Sequence, residues 1–184
     1  MSEKTIIQKD FYRESGAYLS TFQIWKKCIN PNLHFIYLLR IAQKYSKKSF
    51  AGMFWRLVLR HFQIKYGFQI YPETQIGEGF YLGHYGGLVI NPKAKIGKNC
   101  NIAQGVTIAQ ANRGKNEGVP EIGDEVWIGP NAVIVGNIKI GNNVLIAPNA
   151  YVNYDIPANA VVMGNPATFT LNENATLGYI NHKI

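Results

Sequence analysis

Residues 121–152 read EIGDEVWIGPNAVIVGNIKIGNNVLIAPNAYV, and the spacing of branched apolar residues in this stretch decides the fold. Ile122, Ile128, Ile134, Ile140, Ile146 and Val152 fall six apart without a slip. The same period runs upstream through Ile70, Ile76 and Leu82, and again through Ile90, Ile96, Ile102 and Ile108. Six is neither the 3.6-residue period of an α-helix nor the two-residue alternation of a half-exposed strand. It is a solenoid period. If each hexad makes one short strand and a turn, three hexads close a triangular coil with every lead side chain inside. Stacking the coils at the ~4.8 Å strand spacing then turns the leads into continuous internal ladders. Ile and Val suit a pleated interior. Glycines after the leads (Gly77, Gly83, Gly97, Gly123, Gly129, Gly141) and asparagines (Asn99, Asn131, Asn142, Asn143) give corners the backbone freedom they need. Thirteen lead positions at three per coil predict about four coils.

The rhythm breaks twice. Leu82 to Ile90 is eight residues, and this segment holds His84, the one histidine of the repeat region, among Gly83, Gly86 and Gly87. Ile108 to Ile122 is fourteen, and the polar excess predicts a projecting, flexible loop over residues 109–120. Counting around one circuit places Gln104 one coil beyond His84. The loop is expected to lie close to both at one edge of the prism.

Upstream, Asn30-Pro31 is a helix start signal, and Leu33, Tyr37, Ile41 and Tyr45 follow four apart; Phe50, Phe54, Val58 and Phe62 repeat the pattern. Both segments predict amphipathic helices, with a weaker one between Asp10 and Trp25. The chain therefore divides into a helical region at 1–66, a prism at 67–167 and a polar tail at 168–184, expected to be loop or short helix. The formal charge of +8 is lopsided: residues 1–66 carry +9 and the other 118 carry −1. Three readings of the basic third stay open: helix faces that pack on the prism or another subunit, association with anionic lipid through Lys44, Lys47, Lys48, Arg56 and Arg60, or an acidic polysaccharide acceptor. No recognised nucleic-acid motif accompanies the charge.

The 184 residues, 47% of them hydrophobic, exclude both a disordered chain and two large domains. Cys28 and Cys100 match neither a zinc cluster nor a redox pair and read as packing residues. No signal-like or membrane-spanning apolar run is present, which predicts a cytoplasmic protein, at most peripheral at the inner membrane face. His34, His61 and His182 lie outside the repeat, so no second imidazole approaches His84 from the coils and no metal is expected.

An imidazole interrupting a strict repeat beside glycines and a loop is a candidate general base. Here the sequence resembles the left-handed β-helix hexapeptide-repeat acyltransferases, and among them the serine acetyltransferase branch. The likeness spans Ile70 to Ala167 and rests on LGHYGGLVI around His84, IAQGVTI ending at Ile108, and Gly164-Asn165-Pro166-Ala167. It implies a mainly β fold, acetyl-CoA as co-substrate, catalysis by His84 and a homotrimer with sites between subunits. CoA is expected along Gly129-Pro130 and Ala147-Pro148 toward Pro166, with Trp127 flanking it. A backbone N–H near Ala109 or Gln110 would steady the oxyanion, and Tyr85 and Gln104 are candidates for the acceptor side.

Two departures shape the acceptor expectation. The family's serine-binding aspartate becomes Gly83, and the arginine-histidine pair of its loop becomes Gly118-Val119. The carboxylate that orients the histidine falls on Gln69. Without ionic clamps, the expected acceptor is a neutral sugar hydroxyl at an open, shallow site, as in enzymes of this branch associated with capsule, lipopolysaccharide or exopolysaccharide synthesis. The alternatives are a serine O-acetyltransferase and a prism that has lost catalysis and serves as a scaffold or binding module.

Overall fold

A computed structural model describes residues 4–184. The hexads form three parallel faces. The first carries β1 (Phe68–Gln69), β4 (Leu88–Ile90), β7 (Thr107–Ala109), β10 (Val133–Val135) and β13 (Tyr151–Val152). The second carries β2 (Gln75–Ile76), β5 (Lys95–Ile96), β8 (Glu121–Ile122) and β11 (Lys139–Ile140). The third carries β3 (Tyr81–Leu82), β6 (Asn101–Ile102), β9 (Trp127–Ile128), β12 (Val144–Ile146) and β14 (Ala160–Met163), with β15 (Thr168–Leu171) added antiparallel. The result is a parallel β-solenoid of about five turns that fits a left-handed β-helix.

Register confirms the ladders. Ile90, Ile108, Ile134 and Val152 stack on the first face, Ile76, Ile96, Ile122 and Ile140 on the second, and Leu82, Ile102, Ile128, Ile146 and Val162 on the third. All are buried. The expectation of about four coils is one turn short, because Ile156, bridged to Ile140, and Val162 extend two ladders past Val152.

Corners use their two small residue types differently. Asn99, Asn131 and Asn143 adopt φ of 55°, 58° and 53°, whereas Asn142 keeps ordinary backbone and accepts from the Asp124 N–H. The glycines of the column Gly77, Gly97, Gly123 and Gly141 are required for closeness. A Cβ on Gly77 would lie 2.6 Å from the Gly97 carbonyl carbon, and one on Gly97 would lie 2.5 Å from Gly123 O.

Four helices precede the prism: α1 (Ile6–Ser15), α2 (Thr21–Lys27), α3 (Pro31–Lys44) and α4 (Phe50–Tyr66). The single weak helix expected between Asp10 and Trp25 is two helices. Gly16, left-handed at φ 67°, ends α1, and a Ser20–Gln23 capping box starts α2. The four-residue stripes mark the buried faces only in part: Leu33 is buried and Val58 and Phe62 pack against the core. Tyr37 and Ile41 are half-buried and Phe50 and Phe54 exposed, while Phe35, Ile36, Leu39 and Leu59 fill the core. A strict four-residue step drifts about 40° per repeat against a 3.6-residue helix, so it leaves the buried stripe within two steps.

Part of the basic surplus holds the helices to the prism. Arg40 donates from Nε to Asp10 Oδ2 at 2.7 Å and from its two Nη atoms to the carbonyls of Ile76 and Gly77; Asp10 Oδ1 accepts from the Phe80 N–H at 2.9 Å. Arg13 donates to Gly79 O, Asn101 Oδ1 and Asn181 O. Arg56 pairs with Glu73, whereas Lys44, Lys47, Lys48 and Arg60 are exposed.

The tail, expected to be loop or short helix, opens with a strand and is loop and turns from residue 172. After β15 it folds back along the third face: Thr176 Oγ1 donates to Asn143 Oδ1, Asn101 Nδ2 donates to Tyr179 O, and Asn99 exchanges hydrogen bonds with the Ile184 backbone. Segment 109–120 is likewise no free loop. Ala111 and Gly118 exchange backbone hydrogen bonds as a hairpin, and Asn116 Nδ2 reaches Asn153 O at 2.7 Å.

Candidate active site

His84 follows the third face directly, at the corner leading to the first. Its two-residue excess over the period is taken up by Gly86 and Gly87, both left-handed at φ 103° and 66°. The corner is pinned from several sides. The Gly83 N–H donates to Ile102 O at 3.0 Å, and the Gly83 carbonyl accepts from Asn32 Nδ2 at the start of α3. Gly67, capping α4, accepts from the Leu88 N–H. His84 itself is exposed.

Beside it is a cavity of about 330 Å³ lined by Tyr81, His84, Asn101, Gln104, Trp127 and Tyr179, among others. The Trp127 and Tyr179 rings pack with centroids 4.7 Å apart, so the tail walls one side. The cavity shares Tyr81, Asn101 and Tyr179 with a second cleft of about 230 Å³ that contains Arg13, Glu14 and His182. Burial raises the Tyr81 phenol above its ordinary range, helped by the nearby Glu14 charge. Cys100 is wholly buried and its thiol is pushed up to about 12 by desolvation, so it cannot serve as a nucleophile here.

The residues singled out from sequence do not all come together. His84, Gln104, Trp127 and Pro130 line one cavity. Gly129, Ala147 and Pro148 continue that corner downward; Gly129 is packed so closely on the next turn that a Cβ would lie 2.8 Å from Pro148 N. Pro166 is exposed beyond the last turn, and Tyr85 is exposed outside the cavity. Ala109 and Gln110 stand elsewhere. They end β7, with Gln110 Oε1 accepting from Asn91 Nδ2, at the corner between the first and second faces. The expected closeness of histidine and loop within one chain therefore fails, because the whole of β7 separates Gln104 from the hairpin.

Gln69 does not take the orienting carboxylate's place: its amide donates to Tyr71 Oη at 3.1 Å. Asn32, Asn101 and Tyr179 were missed from sequence. Asn32 reads as part of a helix start, Asn101 as a strand residue and Tyr179 as part of a tail of loop or short helix. The surplus of asparagines beyond what the turns need was the available signal. Among the described residues no group of three or more His, Cys, Asp or Glu is placed to hold a metal ion, and no helix is long and apolar enough to cross a membrane.

A prism of hexads with one imidazole at an enlarged corner defines the class: residues 120–153 match the bacterial transferase hexapeptide (six repeats) family. A serine acetyltransferase of Staphylococcus aureus is 32% identical over 147 residues, covering 79% of this chain and 68% of that protein. Among solved structures, the Neisseria gonorrhoeae serine acetyltransferase in complex with serine superposes with a TM-score of 0.72 at 30% identity, covering 90% of this chain and 67% of that one. The Entamoeba histolytica isoform 3 enzyme, in complex with cysteine, gives 0.67 at 27% identity, covering 95% of this chain and 63% of that one. The chain belongs to the serine acetyltransferase family of hexapeptide-repeat transferases, and it spans about two thirds of the length of these relatives.

These likenesses overturn the sugar-acceptor expectation. It rested on the charged groups absent at Gly83 and Gly118-Val119 and on a layout resembling the polysaccharide-associated enzymes of this branch, and it called for an open, shallow site. The site is instead a pocket walled by Tyr81, Trp127 and Tyr179, with charged groups in the adjoining cleft, and the similar proteins are named for serine.

Proposed function

We propose that the chain is an acetyl-CoA-dependent serine O-acetyltransferase with His84 as general base. The observation that carries this is the placement of His84: exposed, at a corner of the prism enlarged by two residues, on a cavity whose lining includes polar amides and tyrosines. Similarity to serine acetyltransferases over four-fifths of the chain supports the acceptor.

In the reaction, His84 takes the proton of the acceptor hydroxyl as its oxygen bonds to the thioester carbonyl carbon. The carbon–sulfur bond then breaks, and the proton passes from the imidazolium to the departing thiolate. No covalent acetyl-enzyme is needed. The corner of Gly129-Pro130 and Ala147-Pro148 fits a thioester arm: its residues are small or ring-closed and lie directly below Gln104. Acetyl-CoA supplies the activated acetyl group. Trp127 flanks the arm from the third face, and Pro166 lies at its far end.

The family resemblance implies a homotrimer, and the separation of the corners within one chain is compatible with a site shared between subunits. The Ala109–Gln110 corner of a neighbouring subunit would face His84 and supply the oxyanion N–H, a contribution of about 2.7–4 kcal/mol where such donors have been removed. Glu14 in the adjoining cleft, which also pairs with Lys27 at 3.4 Å, is the proposed partner of the serine ammonium, with His182 on the carboxylate side; Arg13, buried and bonded to three protein oxygens, shapes the cleft wall. The exposed Lys44, Lys47, Lys48 and Arg60 keep weak association with an anionic surface as a proposal, expected to fade with salt.

The test is thiol release from acetyl-CoA with L-serine and with a panel of sugars. L-Serine should turn over, and His84→Ala should reduce kcat by about 10²–10⁴-fold at an unchanged urea midpoint. No turnover with L-serine, or full activity in His84→Ala, overturns the reading.

A further inference from the structure

The pocket around His84 contains a polar atom that the fold leaves unpaired. Gln104 Oε1 is buried and has no hydrogen-bond partner among the described residues. A buried acceptor of this kind is costly, so its persistence calls for a partner that the resting arrangement does not supply.

Register says which group is in reach. Leu82 pairs with Ile102, so two residues further on His84 stands over Gln104, one rung apart at about 4.8 Å. The main chain of both is fixed. The Gly83 N–H and carbonyl are bonded to Ile102 and Asn32, the Gln104 carbonyl accepts from the Asn131 N–H at 3.0 Å, and the Gly105 N–H donates to Gly86 O at 3.2 Å. Only side-chain torsions remain to bring ring and amide together, and catalytic hydrogen bonds are often completed only when substrate binds. Asn32 Oδ1 is likewise buried and unpaired, but Asn32 does not line the cavity. Gln69 is engaged by Tyr71, and no carboxylate lines the cavity. The titratable groups that face the ring from neighbouring elements are Tyr81 on β3 and Tyr179 of the tail; Arg13, Glu14 and His182 stand one cleft further away.

We propose that Gln104 is the positioning residue for His84: its Oε1 accepts the N–H of one ring nitrogen and leaves the other, unprotonated, toward the acceptor hydroxyl. An amide oxygen accepts in both states of the ring. It fixes one tautomer of the neutral base and still holds the imidazolium after proton transfer, without itself taking the proton. The inference deepens the general-base reading and rests on it.

Gln104→Leu and Gln104→Glu test it, using kcat across pH and long-range 1H–15N spectra of the histidine rings, with His84→Ala assigning the signals. Gln104→Leu should lower kcat about 10- to 100-fold, with KM for acetyl-CoA little changed, and should mix the two His84 tautomers. Gln104→Glu keeps the acceptor and adds charge. It should restore most of kcat while moving the acidic limb of kcat/KM to higher pH by about one unit. An unchanged tautomer ratio and pH profile in both variants overturns the proposal. If Gln104→Leu does not fold, Gln104→Glu still decides through the limb and the spectra. If the wild-type protein transfers no acetyl group, the general-base reading fails, and the tautomer measurement judges Gln104 separately.

Discussion

Replacing Asp10 should reveal how the helices are held to the prism. Its carboxylate is fully buried, receives Arg40 Nε at 2.7 Å and accepts the Phe80 N–H at 2.9 Å. In Asp10→Ala the guanidinium keeps the carbonyls of Ile76 and Gly77 but loses its counter-charge inside the protein, and the Phe80 N–H loses its acceptor. Breaking a buried pair from one side costs about 3–5 kcal/mol. The pair as a whole is worth less, because desolvation is the largest influence on Asp10 and raises its carboxyl above the ordinary range against the pull of Arg40. Arg40→Met in the Asp10→Ala background removes the stranded charge and should recover at least about 2 kcal/mol. The assay is equilibrium urea unfolding of all four proteins at one protein concentration, since assembly would couple to stability. A loss below about 1 kcal/mol in Asp10→Ala, or a double variant as unstable as the sum of the singles, refutes the reasoning. Phe80 lies four residues before His84, so Asp10→Ala should also lower activity before it unfolds the chain.

Gly97→Ala should destabilise by about 2–3 kcal/mol, because the new methyl meets the Gly123 carbonyl at 2.5 Å and the Asp124 carboxylate; a change under about 0.5 kcal/mol in urea unfolding would contradict the packing of that corner. Gly83 is the opposite case: its φ is ordinary and an added methyl would find its nearest neighbour 3.9 Å away, so Gly83→Asp should fold normally. By placing a carboxylate beside the base it should raise kcat/KM for L-serine about tenfold and leave an uncharged alcohol acceptor unimproved; equal effects on both would refute the charge argument. Glu78 is held below its ordinary value of 4.5 by hydrogen bonds to Lys9 and Lys98. A depressed carboxyl contributes stability that is full above its unfolded value and disappears as pH falls through the folded one. Glu78→Gln should therefore cost about 0.5–1 kcal/mol at about pH 7 and almost nothing below about pH 4, and a pH-independent difference would show that the ion pairs are not its source.

How much of this was legible in the sequence depended on whether a contact repeats. Ile96 packs on Ile76 and Ile122 as Ile102 packs on Leu82 and Ile128, so one rule, reapplied at each hexad, fixes three ladders and the register that sets His84 over Gln104. The return of the tail follows no such rule. It depends on single contacts from Asn99, Asn101 and Asn143, side chains that in sequence read as turn residues or a strand position. The two arginines were legible as charge but not as anchors, since burial of Arg13 and Arg40 depends on carbonyls that only the folded corners present. The acceptor was misjudged for a related reason. Missing clamps at two motif positions were counted as missing charge, although Glu14 reaches the neighbouring cleft from α1, about seventy residues away in the chain, and is the proposed ammonium partner there.

The position of the base follows from the geometry of the repeat. Along the column of Gly77, Gly97, Gly123 and Gly141 the corner closes so tightly that even a Cβ finds no room, whereas the corner column of His84 admits Gln104, Pro130 and Pro148 at the equivalent positions of the following turns. Two extra residues open one corner, and the cost is backbone freedom: Gly86 and Gly87 turn left-handed, and a Cβ on Gly86 would touch nothing within 4 Å. A base on so loose a segment would wander. The helices correct this, with Asn32 of α3 bonded to Gly83 and Gly67 at the end of α4 bonded to Leu88, so the segment is tied on either side of His84. If His84 is the base, as proposed, these two ties make the helical preface its positioning support, and Asn32→Ala should lower kcat while leaving the ladders folded.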